Sequence, residues 1–209
     1  MKIPVKYLGI GIIIFHLIGV VGTLWPVTRA LTVSLTPLNL VLSSVLLLAS
    51  QQDINRSWII VAIVVTVAGY FIEVVGVQTG VLFGVYEYGG TLGLSWLAVP
   101  LVMGLNWFLL VVLFGQLVAP YPINMVLKAV LSALGMALLD VLIEPVAISL
   151  DYWSWSLSEV PLQNYLAWFF IGFFMQLLFI KVNGTRRSLF VFYLLAAQLM
   201  YFSMILLFL

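Results

Sequence analysis

From Ile59 to Val67 the chain reads Ile-Ile-Val-Ala-Ile-Val-Val-Thr-Val, without one charged side chain. Runs of this kind recur along its whole length and constrain the fold more than any other feature. A helix crosses the hydrocarbon of a bilayer with about 20 apolar residues. Seven segments reach about that length, over residues 5–24, 31–49, 57–76, 96–118, 126–144, 162–180 and 188–208. The second is the weakest, because Pro37 and Asn39 interrupt it. A closed β-barrel is the alternative spanning structure, but its strands alternate in polarity, and these runs do not. Composition agrees: 65% of residues are hydrophobic and 7% charged, against about 25% charged in a soluble domain. The reading is all-α: a polytopic integral membrane helical bundle of about seven transmembrane helices, folded as a single transmembrane domain over residues 1–209.

Charge asymmetry sets the orientation. With seven crossings, Lys2, Lys6, Arg56, Lys128, Lys181, Arg186 and Arg187 fall on one side and only Arg29 on the other. By the positive-inside rule the N-terminus is cytoplasmic and the C-terminus outside, in a multi-pass cell-membrane protein. The weakly basic stretch Met1 to Lys6 leads into an apolar run longer than a signal-peptide core, with no small-residue cleavage site after it, so it is expected to stay as the first helix. The acids sort oppositely. Glu73, Glu87, Asp140, Glu144, Asp151 and Glu159 lie at the outer ends or in the outer loops, and only Asp53 lies inside. Acids contribute little to topology, so this bias points to a polar site near the outer leaflet.

Several chemistries are excluded. Eight Lys plus Arg and a net charge of +1 leave no footprint for nucleic acid. Cysteine is absent, which removes disulfides, thiolate zinc sites and iron–sulfur clusters. A lone histidine, His16, cannot build His-rich metal or bis-His haem sites and reads as a core residue. The seventh segment has no lysine for a retinal Schiff base, and there is neither an Asp-Asp-x-x-Asp motif nor a glycine-rich nucleotide loop. An internal repeat is possible: Val99-Pro100-Leu101 with Trp107 and Val160-Pro161-Leu162 with Trp168 share one offset. Each follows an aromatic, acidic loop, suggesting tandem hairpins over 57–118 and 126–181.

Carboxyl groups within a span cost about 2.5–3.5 kcal/mol near its centre and are functional candidates by default. Asp140 and Glu144, spaced i, i+4, share one helix face, and Pro145 is expected to close that helix. Two carboxyls so close in a low dielectric do not readily ionise together. Glu73 sits at the corresponding depth of the third segment; solvation by headgroups is the alternative for all three. Gly76, Gly80 and Gly84 read as a small-residue ridge for close helix approach. Asn106, about ten residues into the fourth segment and so roughly 15 Å deep, needs a partner near the midplane: either another helix or a substrate or water. Tyr86, Tyr88, Trp96, Trp153 and Trp155 form either an interfacial belt or a cation–π cage for a transient carbocation.

The stretch Glu73-x-x-Gly76-x-x-x-Gly80-x-x-x-Gly84-x-Tyr86-x-Tyr88 resembles the first signature of the membrane-bound carotenoid hydratases of the CruF type. Asp140-x-x-x-Glu144-Pro145, Trp153-x-Trp155 and Pro161-x-x-Asn164-Tyr165-x-x-Trp168 resemble the second. The resemblance covers residues 70 to 170 or so. In one departure, Glu144 stands where the family favours Asp, which alters geometry rather than chemistry. The resemblance implies a hydro-lyase that adds water to the terminal C=C bond of an acyclic carotenoid end group, with substrates of the lycopene, gamma-carotene or bisanhydrobacterioruberin type. It implies no cofactor and no metal: a carboxylic acid protonates the alkene, aromatic faces stabilise the tertiary cation, and a carboxylate deprotonates the attacking water. Asp140 and Glu144 would be the acid–base pair, with Glu73 holding the water or exchanging roles. Tyr86, Tyr88, Trp96, Asn106, Trp107, Trp153, Trp155, Asn164, Tyr165 and Trp168 are the candidate substrate-binding residues. The expected partners are the carotenoid, water and membrane lipid. Two rivals remain open: a lycopene-type end-group cyclase, which quenches the same cation internally, and a seven-helix lipophile transporter or binding protein.

Overall fold

The computed structural model describes residues 3–157 and 159–208; Met1 and Lys2 lie outside the described residues. The helices are α1 (Val5–Leu24), α2 (Pro26–Ser34), α3 (Thr36–Ala49), α4 (Arg56–Thr79), α5 (Val102–Val118), α6 (Met125–Ser149), α7 (Leu162–Asn183) and α8 (Phe190–Leu207). Their starts follow local chemistry. Asn55 and Asn124 accept the backbone N–H of Trp58 and Leu127, each at 2.8 Å, as side-chain N-caps. Pro26 and Pro37 occupy first-turn positions, where a missing N–H costs nothing.

Five helices, α1, α4, α6, α7 and α8, are long and apolar enough to cross a membrane, and the α2–α3 pair, bent by 55°, is long and apolar enough when taken together. The break falls in the second segment, where Thr36 and Pro37 open a new helix one residue after α2 ends. The protein is thus an all-α, multi-pass membrane bundle. At 17 residues α5 is shorter, at the lower limit for a span. It is also the central helix, packed against α3, α4, α6, α7 and α8, and eleven of its residues are buried. An all-round apolar helix belongs in such a place.

The structure corrects four sequence expectations. The fourth segment does not begin at residue 96, since residues 95–100 form a hairpin of β2 (Ser95–Trp96) and β3 (Val99–Pro100). Asn106 is therefore only four residues past the start of α5 rather than ten. Pro145 does not close its helix, because α6 runs on to Ser149 with the proline inside, a position that transmembrane helices tolerate for proline. Gly76, Gly80 and Gly84 are not a ridge. Only Gly76 is helical; Gly80 caps α4 in the left-handed region at φ 64°, and Gly84 lies beyond it at φ 107°. That cap turns the chain back, laying Phe83 against Gly76 and Tyr86 against α4.

The aromatic outer segments pair with each other. β1 (Tyr86–Tyr88) and β4 (Trp153–Trp155) form an antiparallel ribbon with Tyr86 opposite Trp155, Glu87 opposite Ser154 and Tyr88 opposite Trp153. Strand alternation turns Tyr86 inward and leaves Glu87 exposed. One face of the ribbon therefore lies over the ends of α4 and α6.

Candidate active site

Glu73 near the end of α4, and Asp140 and Glu144 near the end of α6, are all buried, at 3%, 3% and 2% exposure. Each is held by neutral donors. The Tyr86 and Tyr88 hydroxyls donate to Glu73 Oε2 at 2.6 and 2.7 Å, and Trp107 Nε1 donates to Oε1 at 2.8 Å. On the other side, Trp153 and Trp155 Nε1 donate to Glu144 Oε2 at 2.9 and 3.0 Å. Asn164 Nδ2 bridges the α6 pair, at 2.9 Å to Asp140 Oδ2 and 3.1 Å to Glu144 Oε1. The i, i+4 spacing places both acids within reach of this one amide. Burial first, and then the Glu73 carboxyl, raise the Tyr86 and Tyr88 phenols above their ordinary range. Both hydroxyls therefore stay protonated donors through neutral pH.

A cavity of about 20 Å³ lies between these groups, lined by Glu73, Phe83, Tyr86, Tyr88, Met103, Asp140, Glu144, Trp153, Trp155, Asn164 and Trp168. A second, of about 210 Å³, adjoins it between α1, α2, α3, α5, α6 and α8. Met103, Asp140, Trp153 and Trp168 line both. The indoles of Trp107 and Trp168 stack at 4.1 Å with an interplanar angle of 8°, backing the centre. Trp107 can approach because Gly69 on α4 carries no side chain: a Cβ there would lie 2.5 Å from the indole.

The candidate residues thus separate. Glu73, Asp140 and Glu144 come together with Tyr86, Tyr88, Trp107, Trp153, Trp155, Asn164 and Trp168. Asn106 lines the larger cavity only. Trp96 stands apart, 55% exposed and stacked on Tyr70, whose hydroxyl donates to its carbonyl at 2.6 Å. Tyr165 is half-buried on α7 and lines neither cavity. Of the acids outside the centre, Glu87, Asp151 and Glu159 are exposed. Sequence reasoning missed Phe83 and Met103, and it missed the contribution of α1, α3 and α8. Phe15, His16, Asn39, Gln198, Tyr201 and Phe202 line the larger cavity from segments far apart in the chain. No spacing within one segment could have revealed them.

The fold and this centre define a class: a multi-pass α-helical membrane protein with an acidic, aromatic-walled site buried at one end of the bundle. Comparison with known proteins makes the class specific. The family described as carotenoid biosynthesis protein matches over residues 11–209, and the chain belongs to that family. It is also similar to the bisanhydrobacterioruberin hydratase of Haloarcula japonica, at 31% identity over 149 residues, covering 61% of this chain and 47% of the relative. The chain spans about half the length of that curated relative. No solved structure matches it.

Proposed function

We propose that this protein is a carotenoid hydratase that adds water across the terminal C=C bond of an acyclic carotenoid end group. One observation carries the reading: three buried carboxyl groups face a cavity walled by aromatic rings and held only by neutral donors. Hydration of an isolated alkene needs an acid to form the cation, π-faces to stabilise it, and a base to take the proton of the attacking water. Buried carboxyls beside tyrosine and tryptophan supply all three, with no redox step and so no cofactor. Membership of a carotenoid biosynthesis family and the likeness to a bisanhydrobacterioruberin hydratase support an acyclic carotenoid as the substrate. The surplus of bases on one side and of acids on the other supports a cytoplasmic N-terminus, with the site toward the outer leaflet of the cell membrane.

Expression in cells that accumulate lycopene, and separately in cells that accumulate bisanhydrobacterioruberin, tests the reading by mass spectrometry of the pigments. A product heavier by one water per reacting end is expected from at least one of them. A rearranged pigment of unchanged mass would make the protein a cyclase. Unaltered pigments in both would favour a binding or transport role.

A further inference from the structure

The two cavities border the three carboxyl groups unequally. Glu73 and Glu144 line only the cavity of about 20 Å³, room for a single water. Asp140 also lines the one of about 210 Å³, whose wall includes Phe15, Leu40, Ile143 and Phe202 and which, of the two, has room for a branched hydrocarbon end. The hydrogen bonds divide the same way. Glu73 and Glu144 each accept three donors. Among the described residues, Asp140 accepts one, from Asn164 on Oδ2, which leaves its other oxygen to carry and deliver a proton.

We infer that Asp140 is the proton donor to the alkene, that the end group lies in the larger cavity, and that Glu144 and Glu73 hold the water in the smaller one. The assignment rests on the hydratase reading. The Asp140 proton forms a C–H bond at the less substituted alkene carbon, using the π electrons, and the adjoining carbon becomes a tertiary cation. The water oxygen then forms the C–O bond from the other cavity, and its surplus proton passes to the Glu144 carboxylate. Asn164, bonded to both acids, keeps them close enough for that proton to return to Asp140. The net change is one water added. Trp153 and Trp168, shared by both cavities, lie where the cation forms.

Deuterium wash-in separates the two roles. The purified full chain in detergent is given lycopene in D2O, or bisanhydrobacterioruberin where lycopene is not turned over, and recovered substrate and product are weighed by mass spectrometry. Glu144→Gln is expected to lower hydration at least 100-fold yet return substrate carrying deuterium, because the cation forms and reverts to alkene by losing a proton. Glu73→Gln is expected to behave likewise. Asp140→Asn is expected to give neither hydration nor deuterium in the substrate. Deuterated substrate from Asp140→Asn, or deuterium-free substrate from Glu144→Gln and Glu73→Gln, overturns the assignment while the hydratase reading stands. A wild-type chain that hydrates neither pigment overturns both. The two glutamate variants decide the matter even if Asp140→Asn does not fold.

Discussion

None of the six donors on Glu73 and Glu144 carries a charge: they are two phenols, three indoles and one amide. Neutral donors fix the position of a carboxyl while leaving its charge uncompensated, unlike a lysine or arginine partner. This makes each donor testable as a positioning group. Trp107→Phe keeps an aromatic face against Trp168 but leaves Glu73 Oε1 without its donor. Losing one bond to a buried acceptor costs about 1–3 kcal/mol. The variant is expected to melt at a lower temperature in detergent while remaining folded, and to hydrate at least tenfold more slowly. Unchanged turnover would show that Trp107 only packs. At this scale much was legible. Rare acids in an apolar chain are conspicuous, and so are tryptophans and tyrosines spaced two apart. Which oxygen each donor reaches was not legible, because every such pair is separated by a turn that the spacing does not describe.

At the scale of elements, the site depends on a ribbon too short to register as a strand pattern. β1 and β4 have three residues each, and periodicity over three residues carries no signal. Their pairing brings four of those six donors, Tyr86, Tyr88, Trp153 and Trp155, onto one sheet face. The N–H of Gly89 donates to the carbonyl of Tyr152 and that of Ser156 to the carbonyl of Val85, at 2.9 and 3.1 Å, extending the ladder at both ends. Ser154→Pro removes a backbone donor from the centre of the ribbon and is expected to lower hydration at least tenfold, whereas Ser154→Ala leaves it near wild type. Equal activity of the two in the pigment assay would show that the ribbon is dispensable. The helices were far easier to read: long apolar runs place most ends within a few residues. The errors came where a local rule met its tertiary exception. Pro145 stays inside α6, a position that transmembrane helices tolerate for proline. The spaced glycines serve a helix stop and a reversal, whereas the close approach of α4 and α5 falls at Gly69 and Gly104, where a Cβ would meet Trp107 and the Thr66 carbonyl.

For the whole molecule, orientation decides which compartment would supply the water of the proposed reaction. Because the chain has no cysteine, single replacements report position without background. Glu87→Cys, on the exposed edge of the ribbon, is expected to react with a membrane-impermeant maleimide added to intact cells. Arg186→Cys, between α7 and α8, is expected to react only after permeabilisation; the reverse pattern would invert the proposed topology. The sequence by itself determined that the chain must lie in a bilayer as helices, because 7% charge cannot cover a water-facing surface. It also marked the acids, since burying a carboxyl is too costly to occur without a local reason. Only the tertiary structure decided that α4 and α6 bring Glu73 within one small cavity of Asp140 and Glu144. It alone placed a second cavity, walled by α1, α3 and α8, against Asp140. Those contacts join residues far apart in the chain, 67 positions for Glu73 and Asp140 and 125 for Phe15 and Asp140, and helix-to-helix packing in lipid is set by shape and small-residue contacts that apolar periodicity does not encode.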